Sequence, residues 1–307
     1  MNSKVVVLTT GGTISCTHDS SGALVPTVSG KDLVAKVSPR FADVVDIEVR
    51  ELQRFDSSSM TLADIDIITK AAHNALEDPQ VVGVVVTHGT DSMEETAIAL
   101  DTFHDDPRPI VLTGSQYPFD HPEYDGIGNL FEAIMVASDT SARDIGVLVV
   151  FGHAILPARG VLKWHTTDTL AFATNGPDEP LRADPIARTD LGEVRVDVLY
   201  AYPGAPRMLI DTLMESGCQG IVVEAMGSGN VGTELAAGIS DALQAGVPVV
   251  ITTRVPRGEV SHTYGGSGGG ATLGALGAVG STYFRAGQAR ILLAIAIATG
   301  VHPVTLF

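Results

Sequence analysis

The chain has 307 residues, enough for one large core or two domains, and its 45% hydrophobic and 18% charged side chains are an ordinary globular balance. A formal net charge of −17, from 36 acidic against 19 basic residues, argues against non-specific binding to nucleic acid or to an anionic membrane surface. Cys16 and Cys218 match no CxxC spacing, so reduced thiols rather than a disulfide framework are expected.

The chain enters an apolar run at residues 5–9 with no signal-like segment before it, and its longest apolar run, 291–298, is too short to span a membrane. A cytoplasmic protein is the expectation. Residues 5–9, 44–52, 81–87, 109–113 and 145–151 are rich in Val and Ile and read as strands buried on both faces. Between them, residues 61–76 carry Ile65, Ile68, Ala72 and Leu76 at a helical period, with Thr61 and Asp64 spaced as a capping box. Residues 94–103 and 129–137 are further helix candidates. Regularity fails between 172 and 193, where Asn175-Gly176-Pro177, Glu179-Pro180 and Asp184-Pro185 mark loop. The alternation then restarts with strands at 195–201, 220–224 and 248–252 and helices at 205–215 and 233–244. The pattern predicts an α/β protein: a larger N-terminal domain, 1–187, with a doubly wound, mostly parallel sheet, a linker at 188–194, and a smaller C-terminal α/β domain, 195–307. The glycine-rich stretch 264–280 reads either as a flexible linker or as a mobile or closely packed functional loop.

Two strand ends carry threonines. Thr10-Gly11-Gly12-Thr13-Ile14 follows the first apolar run; its glycines allow close backbone approach and free N–H donors, and Thr13 is a candidate nucleophile. His88-Gly89-Thr90-Asp91-Ser92 follows the run at 81–87, setting a hydroxyl beside a carboxylate that can hold a substrate ammonium or orient a lysine. Glu94 and Glu95 read as first-turn charge favoured by the helix dipole, and His88 as a histidine satisfied in a packed loop. Ser57-Ser58-Ser59, just before a helix cap, read as a plain loop or as donors for a carboxylate. Lys163, in a mostly apolar segment beside Trp164, is a base candidate or a surface lysine. Asn230, in Gly227-Ser228-Gly229-Asn230, sits in a turn or contacts substrate. The nine histidines show no HxxxH or HExxH spacing, and neither a metal nor a cofactor is expected.

In combination these motifs resemble the bacterial-type L-asparaginase family. The two signatures are Thr10-Gly11-Gly12-Thr13-Ile14-Ser15 and His88-Gly89-Thr90-Asp91-Ser92-Met93-Glu94-Glu95-Thr96, with Ser92 where the family has threonine. Minor matches run along nearly the whole chain, among them Asp56-Ser57-Ser58-Ser59-Met60, Thr113-Gly114-Ser115-Gln116, Arg159-Gly160 with Lys163, and Arg254-Val255-Pro256. The TGSQ variant looks more like the cytoplasmic type.

The resemblance implies hydrolysis of L-asparagine to aspartate and ammonia through an acyl-enzyme on Thr13, without a cofactor. It makes Thr90, Asp91 and Lys163 a second catalytic triad. Ser57 and Ser58, with Gly12 and Gly89, fall among the substrate-binding residues, Ser57 at the α-carboxylate and Asp91 at the α-ammonium. Ser115 falls near the leaving amide, and Asn230 looks like a contact from a neighbouring subunit, making a homodimer or homotetramer the expected assembly. The family's loop tyrosine is missing: residues 22–26 read Gly-Ala-Leu-Val-Pro, with Leu24 at that position. Ser59 replaces a common aspartate, and Glu259 is the sole carboxylate where the family often donates an acidic residue, with Tyr264 nearby. Broader glutaminase-asparaginase activity, amidase action on a glutamyl-tRNA, and a catalytically impaired amino-acid-binding homologue are the alternatives.

Overall fold

The computed structural model describes residues 3–176 and 182–307. They divide into two compact α/β units, one taking in the chain up to Thr174 with Asp184–Arg188, the other built on Thr189–Phe307.

The strands of the first unit are β1 (Lys4–Gly11), β2 (Cys16–His18), β3 (Leu24–Pro26), β4 (Asp46–Phe55), β5 (Val81–Thr87), β6 (Ile110–Thr113), β7 (Val147–Phe151), β8 (Ala154–Pro157), β9 (Val161–Lys163) and β10 (Phe172–Thr174). Its α-helices are α1 (Gly30–Ala35), α2 (Leu62–Leu76), α3 (Met93–Phe103) and α4 (Gly126–Ser138). Six strands form one sheet in the order β4-β1-β5-β6-β7-β8, parallel except for β7 against β8, while β2–β3 and β9–β10 form small antiparallel pairs. Successive residues of β1 face opposite ways. Val6 and Leu8 join Ile68 and Ala72 of α2 and Ala97 and Leu100 of α3, whereas Val5 and Val7 join Leu33 of α1 and Leu130 and Ile134 of α4. Helices on both faces explain why β1 and β5 read as unbroken apolar runs; each fully buried Val or Leu stabilises by about 1.5–3 kcal/mol.

The chain leaves β1 for β4 on one side, then crosses back to β5 on the other. β1 and β5 therefore flank the point where strand order reverses, which is where open α/β sheets form their ligand crevice at the strands' carboxyl ends. Thr9, Thr87 and Thr113 stand level across β1, β5 and β6, and Phe55 of β4 pairs with Gly11. The loops after all four strands thus leave from one edge.

Several expected boundaries moved. β4 begins at Asp46 and runs to Phe55, past the expected end at 52, because its pairing with β1 resumes after an irregularity. α4 starts at Gly126, three residues before the first residue of the expected helix. The Thr61–Asp64 capping box is present in both directions, a feature that typically contributes about 1 kcal/mol. The loop expected at Pro177 and Glu179-Pro180 lies outside the described residues.

The second unit holds β11 (Val196–Tyr200), α5 (Met208–Glu215), β12 (Gly220–Ala225), α6 (Thr233–Gln244), β13 (Val249–Thr253), α7 (Gly270–Ala275), β14 (Val279–Gly280) and α8 (Ala286–Thr299). Its four strands form a parallel sheet in sequence order. The glycine-rich stretch is not a linker: it supplies α7 and β14, and a Cβ on Gly268 would stand 2.0 Å from the Val231 carbonyl oxygen. Among the described residues no helix is long and apolar enough to cross a membrane.

Candidate active site

The first threonine loop packs against the second through glycine. Gly12 has φ 85°, ψ 175°, a conformation that side chains rarely adopt. A Cβ there would lie 2.7 Å from the Gly89 nitrogen, and a Cβ on Gly89 would lie 2.3 Å from Ser57 Oγ. The loops after β1, β5 and β4 are therefore in direct contact. Thr10 Oγ1 donates to the Thr87 carbonyl at 2.8 Å and fastens the ends of β1 and β5. Thr13 opens a single 3-10 turn, closed by Ser15, whose N–H and hydroxyl both donate to the Gly12 carbonyl at 3.0 Å. Ser92 donates to the Ser57 carbonyl at 2.7 Å. Serine there supplies the hydroxyl that a threonine would, so this departure from the signature still leaves a donor that ties the Ser57 loop to the second signature.

Lys163 reaches the second loop from β9. Its ammonium nitrogen is 2.8 Å from Thr90 Oγ1 and 2.7 Å from Asp91 Oδ1. Hydroxyl, carboxylate and amine are thus assembled from segments more than 70 residues apart, an arrangement able to relay a proton. The surface-lysine reading of Lys163 is set aside: its side chain is 22% exposed and paired.

His88 is not a base in this loop. Its Nδ1 donates to the Gly89 carbonyl at 2.7 Å, leaving Nε2, 2.9 Å from the Thr96 hydroxyl, to accept. Burial lowers its pKa to about 4, so the ring is neutral near pH 7 and holds the loop in shape.

A cavity of about 470 Å³ opens at this edge, lined by Gly11, Gly12, Thr13, Cys16, Leu24, Pro26, Arg54, Phe55, Asp56, Ser57 and Asp91. Thr13, Ser57, Asp91 and Gly12 therefore share one space. Leu24, on the β2–β3 hairpin, occupies part of the wall. Sequence reasoning missed Arg54, whose Nη1 donates to the Pro26 carbonyl at 2.5 Å and ties the end of β4 to the hairpin. Its place directly before Phe55-Asp56-Ser57 was the available signal.

Other expected residues lie apart from this lining. Ser58 is exposed, and its N–H and hydroxyl both donate to Asp56 Oδ1, at 3.0 and 2.8 Å. Ser115 is buried, with its hydroxyl donating to the Tyr117 carbonyl at 2.8 Å. Its loop is held by Asp125, which accepts from Gln116 and Tyr117 N–H groups, and by Asn129, which donates to the Gly114 carbonyl. Asn230 belongs to the second unit, where its Oδ1 accepts from Gly270 N–H at 3.2 Å. Glu94 is more than the first-turn charge expected of it: it is half-buried, and Oε2 accepts from the Lys163 backbone N–H at 2.6 Å. Burial and the neighbouring Glu95 raise its pKa well above the usual carboxylate range. Among the described residues no group of three His, Cys, Asp or Glu side chains could hold a metal ion.

Comparison with known proteins bears on the whole chain. Residues 4–190 match the model described as Asparaginase, N-terminal, and residues 195–306 match the Glutaminase/Asparaginase C-terminal domain. An L-asparaginase of Bacillus licheniformis is 31% identical over 97% of each chain. A probable L-asparaginase of Deinococcus radiodurans is 33% identical over 97% of this chain and 94% of its own. The crystal structure of a probable cytoplasmic L-asparaginase from Campylobacter jejuni superposes with a TM-score of 0.86 at 28% identity, covering 99% of this chain and 98% of the other. With both halves matched and the signature loops meeting at one sheet edge, the chain belongs to the asparaginase family of amidohydrolases.

Proposed function

We propose that the protein is an L-asparaginase that hydrolyses L-asparagine to L-aspartate and ammonia through an ester on Thr13. The observation that carries the reading is the Lys163–Thr90–Asp91 cluster, at 2.8 and 2.7 Å, with Asp91 lining the same cavity as Thr13 and Ser57. Thr13 Oγ attacks the side-chain amide carbon. Its proton is delivered to the leaving nitrogen, which departs as ammonia, and water then cleaves the ester, restoring the Thr13 proton and releasing aspartate. Lys163 and Thr90 form the proton relay, and backbone N–H groups at the two glycine turns serve the developing oxyanion, where one donor is worth roughly 10²–10³ in rate. Asp91 takes the substrate ammonium; Ser57 takes the α-carboxylate, with Ser58 shaping its loop, and Ser115 is assigned to the loop on the side of the leaving amide.

Asn230 is assigned to the site of a neighbouring subunit, which makes a homodimer the smallest active unit. A cytoplasmic location is proposed with it, supported by the likeness to the probable cytoplasmic L-asparaginase from Campylobacter jejuni. The test is ammonia release from L-asparagine, L-glutamine and D-asparagine by the wild type, Thr13→Ala and Thr90→Val. Turnover of L-asparagine lost in both variants is expected. Turnover that survives Thr13→Ala sinks the nucleophile assignment. Saturable asparagine binding with no turnover of any amide indicates a binding homologue, and comparable rates on glutamine indicate a broader amidase.

A further inference from the structure

Lys163 belongs to a three-residue strand that, among the described residues, pairs with β10 and lies outside the six-stranded sheet whose β5 leads into Thr90. Strand pairing therefore does not set how far its ammonium stands from the end of β5. A cross-link to α3 spans that gap. Glu94, in the first turn of α3 and three residues after Asp91, accepts the Lys163 backbone N–H at 2.6 Å. The segment from Thr90 to Glu94 thus grips one lysine at both ends, its ammonium through Thr90 and Asp91 and its backbone through Glu94. An acid present only to complement a helix dipole would stay in water, whereas this carboxyl is half-buried and turned onto the backbone of β9. A neutral carboxyl keeps a carbonyl oxygen that accepts the same bond, so burial and the contact are compatible.

We propose that Glu94 is a positioning residue for Lys163, its carboxyl fixing β9 at the separation from which the ammonium meets both the Thr90 hydroxyl and Asp91. The proposal rests on the assignment of Lys163 to the proton relay. Glu94 acts through Lys163, not on the substrate.

The experiment is steady-state hydrolysis of L-asparagine by the full-length protein and by Glu94→Leu, Glu94→Gln, Glu94→Asp and Lys163→Met. Glu94→Leu removes the acceptor and is expected to lower kcat about 100-fold, the scale of a misplacement near 1 Å, with KM within about threefold. Glu94→Gln keeps a neutral acceptor at the same reach and should recover most of that loss. Glu94→Asp keeps the carboxyl but withdraws it by one methylene, and should lower kcat about tenfold with KM unchanged; it carries the test should the leucine variant fail to fold. Wild-type kcat in Glu94→Leu or Glu94→Asp overturns the proposal, as does a Glu94→Gln variant as slow as the leucine one. An active Lys163→Met instead overturns the relay assignment beneath it, and an inactive one with active Glu94 variants overturns the positioning role alone.

Discussion

The Lys163 ammonium nitrogen lies 2.8 Å from the Thr90 hydroxyl oxygen, although 73 positions separate the two residues in the chain. The same nitrogen is 2.7 Å from Asp91. A relay of this kind contributes typically 10²–10⁴-fold in rate. Lys163→Met should therefore lower kcat for L-asparagine by roughly 10²–10⁴-fold, with a much smaller change in KM. Steady-state ammonia assays check this, and an equal rise in KM with kcat retained would show that Lys163 binds substrate rather than moves protons.

Asp91 is assigned two duties, one toward Lys163 and one toward the substrate ammonium, and they separate by substrate choice. Asp91→Asn should raise KM for asparagine and lower kcat together. With succinamic acid, which lacks the α-amino group, only the kcat loss should remain. A KM penalty of the same size on both substrates argues against the ammonium contact.

Gly89 tests the packing of three loops. A methyl there would meet Ser57 Oγ at 2.3 Å and Ser57 Cβ at 2.6 Å, so the serine itself must move. Gly89→Ala should push the Ser57 loop outward and cost about 1–3 kcal/mol, as overpacking does, appearing as a raised KM for asparagine and a lower melting temperature. Unchanged values in both would mean that the loop has slack the structure does not show.

Arg54 tests the hairpin. Its bond to the Pro26 carbonyl is exposed, so about 0.5–1.5 kcal/mol is its scale. Arg54→Met should speed proteolytic cutting within residues 16–26 and raise KM up to about tenfold, with kcat falling less. Cutting rates equal to the wild type would remove Arg54 as the fastening of the hairpin.

Much of this architecture is legible in the residues. Unbroken runs such as Val5–Leu8 and residues 81–86 announce strands covered on both faces, and the glycines after them announce close approach; the structure brings Thr13, Gly12, Ser57 and Asp91 to one cavity. What stayed hidden depends on distant packing. Glu94 looks like any first-turn acid until β9, 69 residues on, closes over it. Arg54 looks like a surface cation until the hairpin carbonyl of Pro26 folds against it. The Ser115 hydroxyl is claimed by a carbonyl two residues away, a local competition that residue type alone does not reveal. The glycines at 264–280 look flexible because their close contacts, such as Gly268 with Val231, come from elsewhere in the fold.

His88 gives a prediction about stability and pH. Its ring is 1% exposed, fully engaged by Gly89 and Thr96, and lowered by burial from 6.5 to about 4. The unfolded chain therefore takes up a proton below pH 6.5 that the folded chain refuses until about pH 4. Stability contributed by the neutral ring is complete above pH 6.5 and is lost as pH falls toward 4. At about 1.4 kcal/mol per unit this amounts to roughly 3 kcal/mol. His73, half-buried and lowered to about 4 by burial with His104 beside it, adds a smaller loss of the same sign. Urea unfolding of the wild type at pH 7.5 and pH 4.5 measures the total. His88→Gln, which does not titrate in this window, should start less stable at pH 7.5 and lose roughly 2–3 kcal/mol less than the wild type on the way down. Parallel losses in the two proteins would show that His88 is already charged in the folded state, and the neutral, accepting Nε2 assigned to it would be wrong.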